Sequence, residues 1–290
     1  LGGDIYRRDL NSFRYLTNND RDTTYEQTTT GFQIRAGVPI TEYMSLALRY
    51  SLNFDDVTLD EDTYYSDTDG DGDTECDPLL AGRYLCDAIG KRTTSSVGYS
   101  LIYDTRDNPG YATGGFLLRA SAALYPGVWD VTSAFGSVNG EALTFMTAPM
   151  PTNPTLALRA GGKKVWGTFP FHEAAYLGGP VFAGSGISDG NLRGYQKNRF
   201  GGDSSLYGNA ELRLVLARIK LLVPGEFGLF GAADTGRVFF AKDPEDADKW
   251  HTGTGGGIWL SFLQRLQTLS VALVKGDELR GLYLRAGFMF

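Results

Sequence analysis

Residues 206–216 read LYGNAELRLVL. Leu206, Ala210, Leu212, Leu214 and Leu216 alternate there with Tyr207, Asn209, Glu211 and Arg213. A period of two sends neighbouring side chains to opposite faces of a β-strand. One face is therefore apolar, and the other carries amide, carboxylate and guanidinium groups. Residues 44–54 (MSLALRYSLNF) repeat the pattern, with Met44, Leu46, Leu48, Tyr50, Leu52 and Phe54 set against Ser45, Ala47, Arg49, Ser51 and Asn53. The chain ends in the same way: Leu282, Leu284, Ala286, Phe288 and Phe290 alternate with Tyr283, Arg285, Gly287 and Met289. A soluble sandwich would bury such an apolar face against a second sheet, whereas a transmembrane barrel turns it to lipid around a wet lumen. The long segments and the Arg, Glu, Asn, Ser and Gly on the second face favour the barrel.

Working outward, the same period marks about twelve strands, near 3–15, 24–38, 43–59, 93–104, 114–125, 131–147, 155–166, 204–219, 226–240, 252–262, 266–275 and 281–290. No segment combines a 3.6-residue period with helix caps. The connections fall into two classes. Short turns follow the even strands, near Pro39–Thr41, Arg106–Ala112, Pro149–Pro154, Val223–Gly225 and Leu263–Arg265. Long segments, 60–92, 167–203 and 241–251, follow odd strands. An outer-membrane barrel segregates its connections in this way, with short periplasmic turns and long outer loops. An even strand count puts both ends of the chain on the periplasmic side. Aromatic rings near strand ends, including Tyr43, Tyr103, Trp129, Trp166 and Trp250, suit interfacial girdles.

The expected fold is thus all-β: a transmembrane antiparallel barrel of about twelve strands over 1–290, with loop 60–92 outside and loop 167–203 in the lumen. Composition agrees. In 290 residues, 42% are hydrophobic, too many for a disordered chain, yet no run of some 18 apolar residues could form a membrane helix. Twenty-seven basic against thirty-four acidic residues give −7, and eight of the acids crowd into 61–77 (EDTYYSDTDGDGDTECD). The remainder is near neutral, without a broad basic face, so nucleic acid is excluded as an expected partner. A start at Leu1 without a charged-then-apolar leader reads as a mature or trimmed product.

One motif carries a family resemblance. Residues 189–202 read DGNLRGYQKNRFGG and precede the strand SLYGNAELRLVL. This is similar to the outer-membrane assembly superfamily of BamA, its translocation relatives and the two-partner-secretion transporters. Their inward-folded sixth loop carries a Val/Leu-Arg-Gly-Phe/Tyr tetrad after a Gly-Gly pair. Leu192, Arg193, Gly194 and Tyr195 match the tetrad, and Gly178 and Gly179 match the pair. LGGDIYRRDLNSF, TTGFQIRAGVPITEYMSLALRYSLN and CDPLLAGRYLCDAIG resemble alphaproteobacterial BamA, while YDTRDNPGYATGGFLLRASA resembles surface-antigen relatives.

The tetrad also has a physical reading. A long loop in a wet lumen must be fastened against its conformational entropy. An arginine can fork onto inward carboxylates. Glu211 lies on the wet face of the next strand, and Asp234 is placed inward by analogy with the family. The alternative is a loop arginine exposed without a partner.

The resemblance further implies periplasmic POTRA domains and about sixteen strands in family members, with Leu1 falling near the fifth. On that basis the chain is expected to be a shortened barrel with reduced or no activity alone. Its seam is expected to join strand 3–15, with Ile5 and Tyr6, to strand 281–290, with Leu284, Phe288 and Phe290.

Other constellations are slighter. Asp67, Asp69 and Asp71 fit the first half of a calcium loop, but Pro78 stands where the closing carboxylate belongs, so a solvated acidic loop competes. Cys76 and Cys86 share that outer loop, where an oxidising compartment favours a disulfide stapling it. No cofactor is expected, calcium being left open. His172 and His251 are the only imidazoles, and neither lies in a nucleophile context, so no catalytic residue and no enzyme is expected; a barrel phospholipase is disfavoured.

The resemblance implies an assembly or insertion barrel in the outer membrane. Its partners would be membrane lipid, lipopolysaccharide, unfolded outer-membrane clients and assembly-machine lipoproteins. A closed pore or passive structural barrel is the competing class.

Overall fold

The computed structural model describes residues 1–14, 23–59, 90–179, 190–220, 223–240, 249–263 and 265–290. Twelve strands form one sheet: β1 (Gly2–Arg14), β2 (Thr23–Pro39), β3 (Met44–Leu59), β4 (Gly90–Asp104), β5 (Gly115–Tyr125), β6 (Phe135–Thr147), β7 (Thr155–Trp166), β10 (Ser204–Lys220), β11 (Pro224–Phe239), β12 (His251–Phe262), β13 (Gln267–Lys275) and β14 (Arg280–Ala286). Each pairs antiparallel with the next, so the topology is an up-and-down meander. Between β7 and β10 a separate ribbon, β8 (Ala175–Leu177) with β9 (Phe200–Gly202), is inserted. Among the described residues no helix is long and apolar enough to cross a membrane.

The two faces of the sheet invert the polarity of a soluble protein. On β10, Ser205, Tyr207, Asn209, Glu211, Arg213 and Val215 are buried, while Leu206, Leu212 and Leu216 are about half exposed. Exposed leucines continue outward on β13 and β14, with Leu269, Leu273, Leu282 and Leu284. Buried polar groups must find partners inside. Asp55 accepts hydrogen bonds from Thr29 Oγ1 at 2.6 Å, Gln27 Nε2 at 3.1 Å and Thr94 Oγ1 at 3.4 Å. Tyr6 likewise donates to Asn53 Oδ1. An apolar exterior around a hydrogen-bonded polar interior is what lipid demands of a sheet.

The sheet wraps round its polar face. Tyr111, in the turn between β4 and β5, is 1% exposed and packs on Trp259 of β12, with ring centroids 5.0 Å apart. In the sheet β6, β7, β10 and β11 separate β5 from β12, so only a strongly curved sheet brings these rings together. Phe288 lies 5.3 Å from Tyr111, and the Arg265 guanidinium sits 4.6 Å over its ring. The turn itself is shaped by Asp107, whose carboxylate accepts from the backbone N–H of Asn108 and of Thr113, both at 2.9 Å.

The strand bounds follow those expected from the period of two, with local differences. β6 begins at Phe135 instead of residue 131, and the short ribbon β8–β9 carries no periodic signal. The last strand is a larger departure. β14 stops at Ala286; Gly287 takes φ +91°, and Phe288 and Met289 turn into the interior and are buried. Phe288 and Phe290 therefore do not lie on a seam strand as expected, because the left-handed residue at 287 ends the ladder while the alternation of the sequence runs on. Ile5 and Tyr6 lie on β1 and Leu284 on β14, but no ladder joins β1 to β14 among the described residues. The suggested calcium ligands Asp67, Asp69 and Asp71 and the cysteines Cys76 and Cys86 fall outside the described residues.

Candidate functional site: a loop fastened in the lumen

Positions facing the lumen in register with the charged residues are small or short. Glu211 stands between Ala157 and Ala232, and Asp234 between Asn209 and Gly253. That relief leaves space for a loop to lie against the wall. Arg193 fills it. Its Nε and Nη2 donate to Asp234 Oδ2 and Oδ1, both at 2.7 Å, and Nη1 donates to Glu211 Oε1 at 2.7 Å. The backbone N–H of Arg193 adds a bond to Asp234 Oδ2 at 3.0 Å. Arg213, two residues beyond Glu211 on the same face, donates from Nε and Nη2 to Glu211 Oε2 at 3.0 and 2.7 Å.

Two guanidinium and two carboxylate groups, with side-chain exposures of 0–3%, thus form a quartet of zero net charge. Burial disfavours the charge on Arg193, but its bonds to Asp234 and Glu211 outweigh this and hold it more firmly protonated than usual. A buried pair need not add stability, but breaking one leaves an uncompensated charge at a cost of about 3–5 kcal/mol. The quartet therefore dictates one position for the loop.

The neighbours of Arg193 complete the fastening. Leu192 is wholly buried with Leu177, Phe200, Tyr207 and Val238. Gly194 has φ +87°, and a Cβ there would lie 2.3 Å from the backbone nitrogen of Gly276, so the close approach requires glycine. Its N–H donates to Tyr283 Oη of β14 at 2.8 Å. Tyr195 donates to the Thr252 carbonyl at 3.0 Å and lies 3.2 Å from Asp277 Oδ2. Burial pushes its phenol up to about 12, so the donating proton is kept. Arg199 forks onto Glu278 at 2.5 and 2.6 Å. The Gly178–Gly179 corner is closed by Asn191, whose side chain bridges the Gly178 N–H and the Tyr176 carbonyl.

All six expected members, Leu192, Arg193, Gly194, Tyr195, Glu211 and Asp234, meet at one place on the wall. Arg213 was missed by the sequence reading, although its spacing from Glu211 put it on the same face. Also missed was the Arg119–Glu141–Arg159 ladder across β5–β7, with bonds of 2.8 Å to Glu141 from each arginine. Arg159 continues it by donating to the Gly190 carbonyl of the loop at 3.1 Å. His251 stacks on Phe200, with centroids 3.6 Å apart, and so serves packing of the same loop.

A curved meander with an inverted polarity and a loop bonded to its inner wall can be compared with known proteins. Residues 1–269 match the Omp85 superfamily domain. The chain belongs to the Omp85 superfamily. No curated protein matches it significantly. Among solved structures, BamA from Haemophilus ducreyi lacking POTRA domains 1-3 is similar at a TM-score of 0.67 and 15% identity, over 98% of this chain and 58% of that one. CdiB from Escherichia coli gives 0.56 and 14%, over 90% and 45%. CdiB from Acinetobacter baumannii gives 0.54 and 13%, over 92% and 43%. At such identities the likeness is one of fold. This Omp85 chain spans a little over half of the BamA chain and under half of either CdiB chain.

Proposed function

We propose that this Omp85 barrel lies in the outer membrane and assists the folding and insertion of other outer-membrane proteins, as in the BamA branch, with reduced activity when the barrel acts alone. The observation that carries this reading is the buried bonding of Arg193 to Glu211 and Asp234, which fastens the loop that resembles the superfamily's sixth loop. In this reading the clients are unfolded outer-membrane proteins, and assembly-machine lipoproteins are the auxiliary partners. The work is done by strand pairing and lipid displacement, without covalent chemistry or a cofactor. In this reading an incoming strand pairs at the seam between β14 and β1, the two end strands of the sheet.

The test uses liposomes containing the folded chain, its Arg193→Ala variant, or no protein. An unfolded barrel client is added and its heat-modifiable fraction is followed. Client folding faster than in empty liposomes, and diminished by Arg193→Ala, is what the assembly reading requires. Equal rates in all three would overturn it in favour of a passive barrel.

A further inference from the structure

We propose that the outward face of β12–β14, at the end that carries the long loops, binds a phosphate of a lipopolysaccharide headgroup. This rests on the outer-membrane placement above, which turns the long loops outward. Lys275 and Arg280 are direct cross-strand partners on β13 and β14, and Thr254 of β12 completes the row on the other side of Lys275. All three are exposed, whereas Val274 beside Lys275 is 0% exposed, so the row faces away from the lumen. Side chains directly opposite in an antiparallel pair have Cβ atoms about 5 Å apart, and like charges there repel.

Carboxylates are at hand in the same hairpin, but they are engaged elsewhere. Asp277 lies 3.7 Å from Lys249 and 3.2 Å from the Tyr195 hydroxyl, and Glu278 is forked by Arg199. Among the described residues neither Lys275 nor Arg280 has an ion-pair partner. Two facing cations without an anion call for one from outside the chain.

The surface below the row says where that anion comes from. The next outward rows are Gly256–Leu273–Leu282, Ile258–Val271–Leu284 and Leu260–Leu269–Ala286, without a single polar side chain. Leu273 and Leu282 are 58% and 62% exposed. Successive rows on one face are about 6.8 Å apart, so the cations sit one step above an apolar band. A ligand matching this surface has a phosphate at its head and acyl chains below. The arginine fork takes two phosphate oxygens, the lysine adds a compact charge, and the Thr254 hydroxyl can donate a further bond.

The experiment is native mass spectrometry of the detergent-folded chain and of the double variant Lys275→Gln/Arg280→Gln. The added probes are diphosphorylated lipid A, its dephosphorylated form, and phosphatidylglycerol. The wild type is expected to retain diphosphorylated lipid A at least about tenfold more tightly than the variant does, and more tightly than it retains phosphatidylglycerol. Dephosphorylated lipid A is expected not to distinguish the two proteins. Equal retention of the diphosphorylated lipid by both, while both remain heat-modifiable, overturns the site and leaves the barrel standing. Phosphatidylglycerol held as tightly as lipid A overturns the choice of ligand. A wild type that is neither heat-modifiable nor lipid-bound overturns the outer-membrane reading on which the site rests.

Discussion

Arg193→Ala is the sharpest probe of the fastened loop. The substitution deletes three charge-assisted bonds, two to Asp234 and one to Glu211. Arg213 still neutralises Glu211, but Asp234 is left with the backbone N–H of residue 193 as its partner in the quartet. The buried charge changes from zero to one uncompensated carboxylate. Breaking a buried pair in this way costs about 3–5 kcal/mol. Every ~1.4 kcal/mol is a factor of ten in an equilibrium, so undocking of the loop should become about a hundredfold to several-thousandfold more frequent. Lys197 and Arg199 supply trypsin sites within the loop. When reclosing is fast relative to cleavage, the cut rate follows the open population. Trypsin cleavage at these residues in the detergent-folded protein should therefore accelerate at least about a hundredfold. Arg193→Lys keeps the charge but cannot fork onto two carboxylates, and should fall between. Rates within about threefold of the wild type for Arg193→Ala would refute the reasoning, since nothing that cheap can be a buried pair.

Gly194→Ala should also release the loop: the new Cβ meets Gly276 at φ +87°, a strain of about 1–3 kcal/mol that the same trypsin assay would read. Tyr111→Ala removes a buried ring that crosses the interior to Trp259 and Phe288. It should cost about 3–5 kcal/mol, lowering the temperature of the gel-mobility transition, and should raise ion conductance in planar bilayers. For Asp107, burial alone would raise the carboxyl, but bonds from Thr113, Gly114 and Asn108 hold it below its ordinary 3.8. A depressed carboxyl contributes stability that is present above pH 3.8 and is lost as pH falls through the folded value. Amide-exchange protection at Asn108 and Thr113 should thus hold at pH 5 and decline below 3.8, and Asp107→Asn should remove that pH dependence.

Much of the architecture was legible because strand periodicity is local. Leu206 to Leu216 alternate whether or not their neighbours are known, and β10 falls where the alternation places it. The pin was legible for another reason: Leu192 to Tyr195 resemble the superfamily's tetrad, the period of two puts Glu211 on the wet face, and Asp234 came from the family analogy alone. Three-residue elements such as Ala175–Leu177 contain too few side chains to define a period. The inward turn of the last residues was hidden, since Phe288 and Phe290 continue the pattern that Leu282 and Leu284 begin. Only the dihedral angle at Gly287 breaks it, and glycine is common within these strands. Pairings across the lumen, such as Tyr111 with Trp259, depend on curvature, which a one-dimensional pattern does not encode.

The inward turn after Gly287 has a consequence for the order in which the molecule can assemble. Arg213 donates to the carbonyl of Phe290, 77 residues away, and its guanidinium lies 3.8 Å from the Phe288 ring. Contacts so distant along the chain form late, because the intervening strands must first take their places. Arg213 is also one of the two cations on Glu211, so the late contact and the loop share a carboxylate. A folding intermediate with β10 and β11 in place but β14 still absent would keep Arg213 on Glu211 but without its bond to residue 290, and its loop would lack the Tyr283 hydroxyl that caps Gly194. The loop therefore gains its full set of bonds only once the last strand and residues 288–290 are in place.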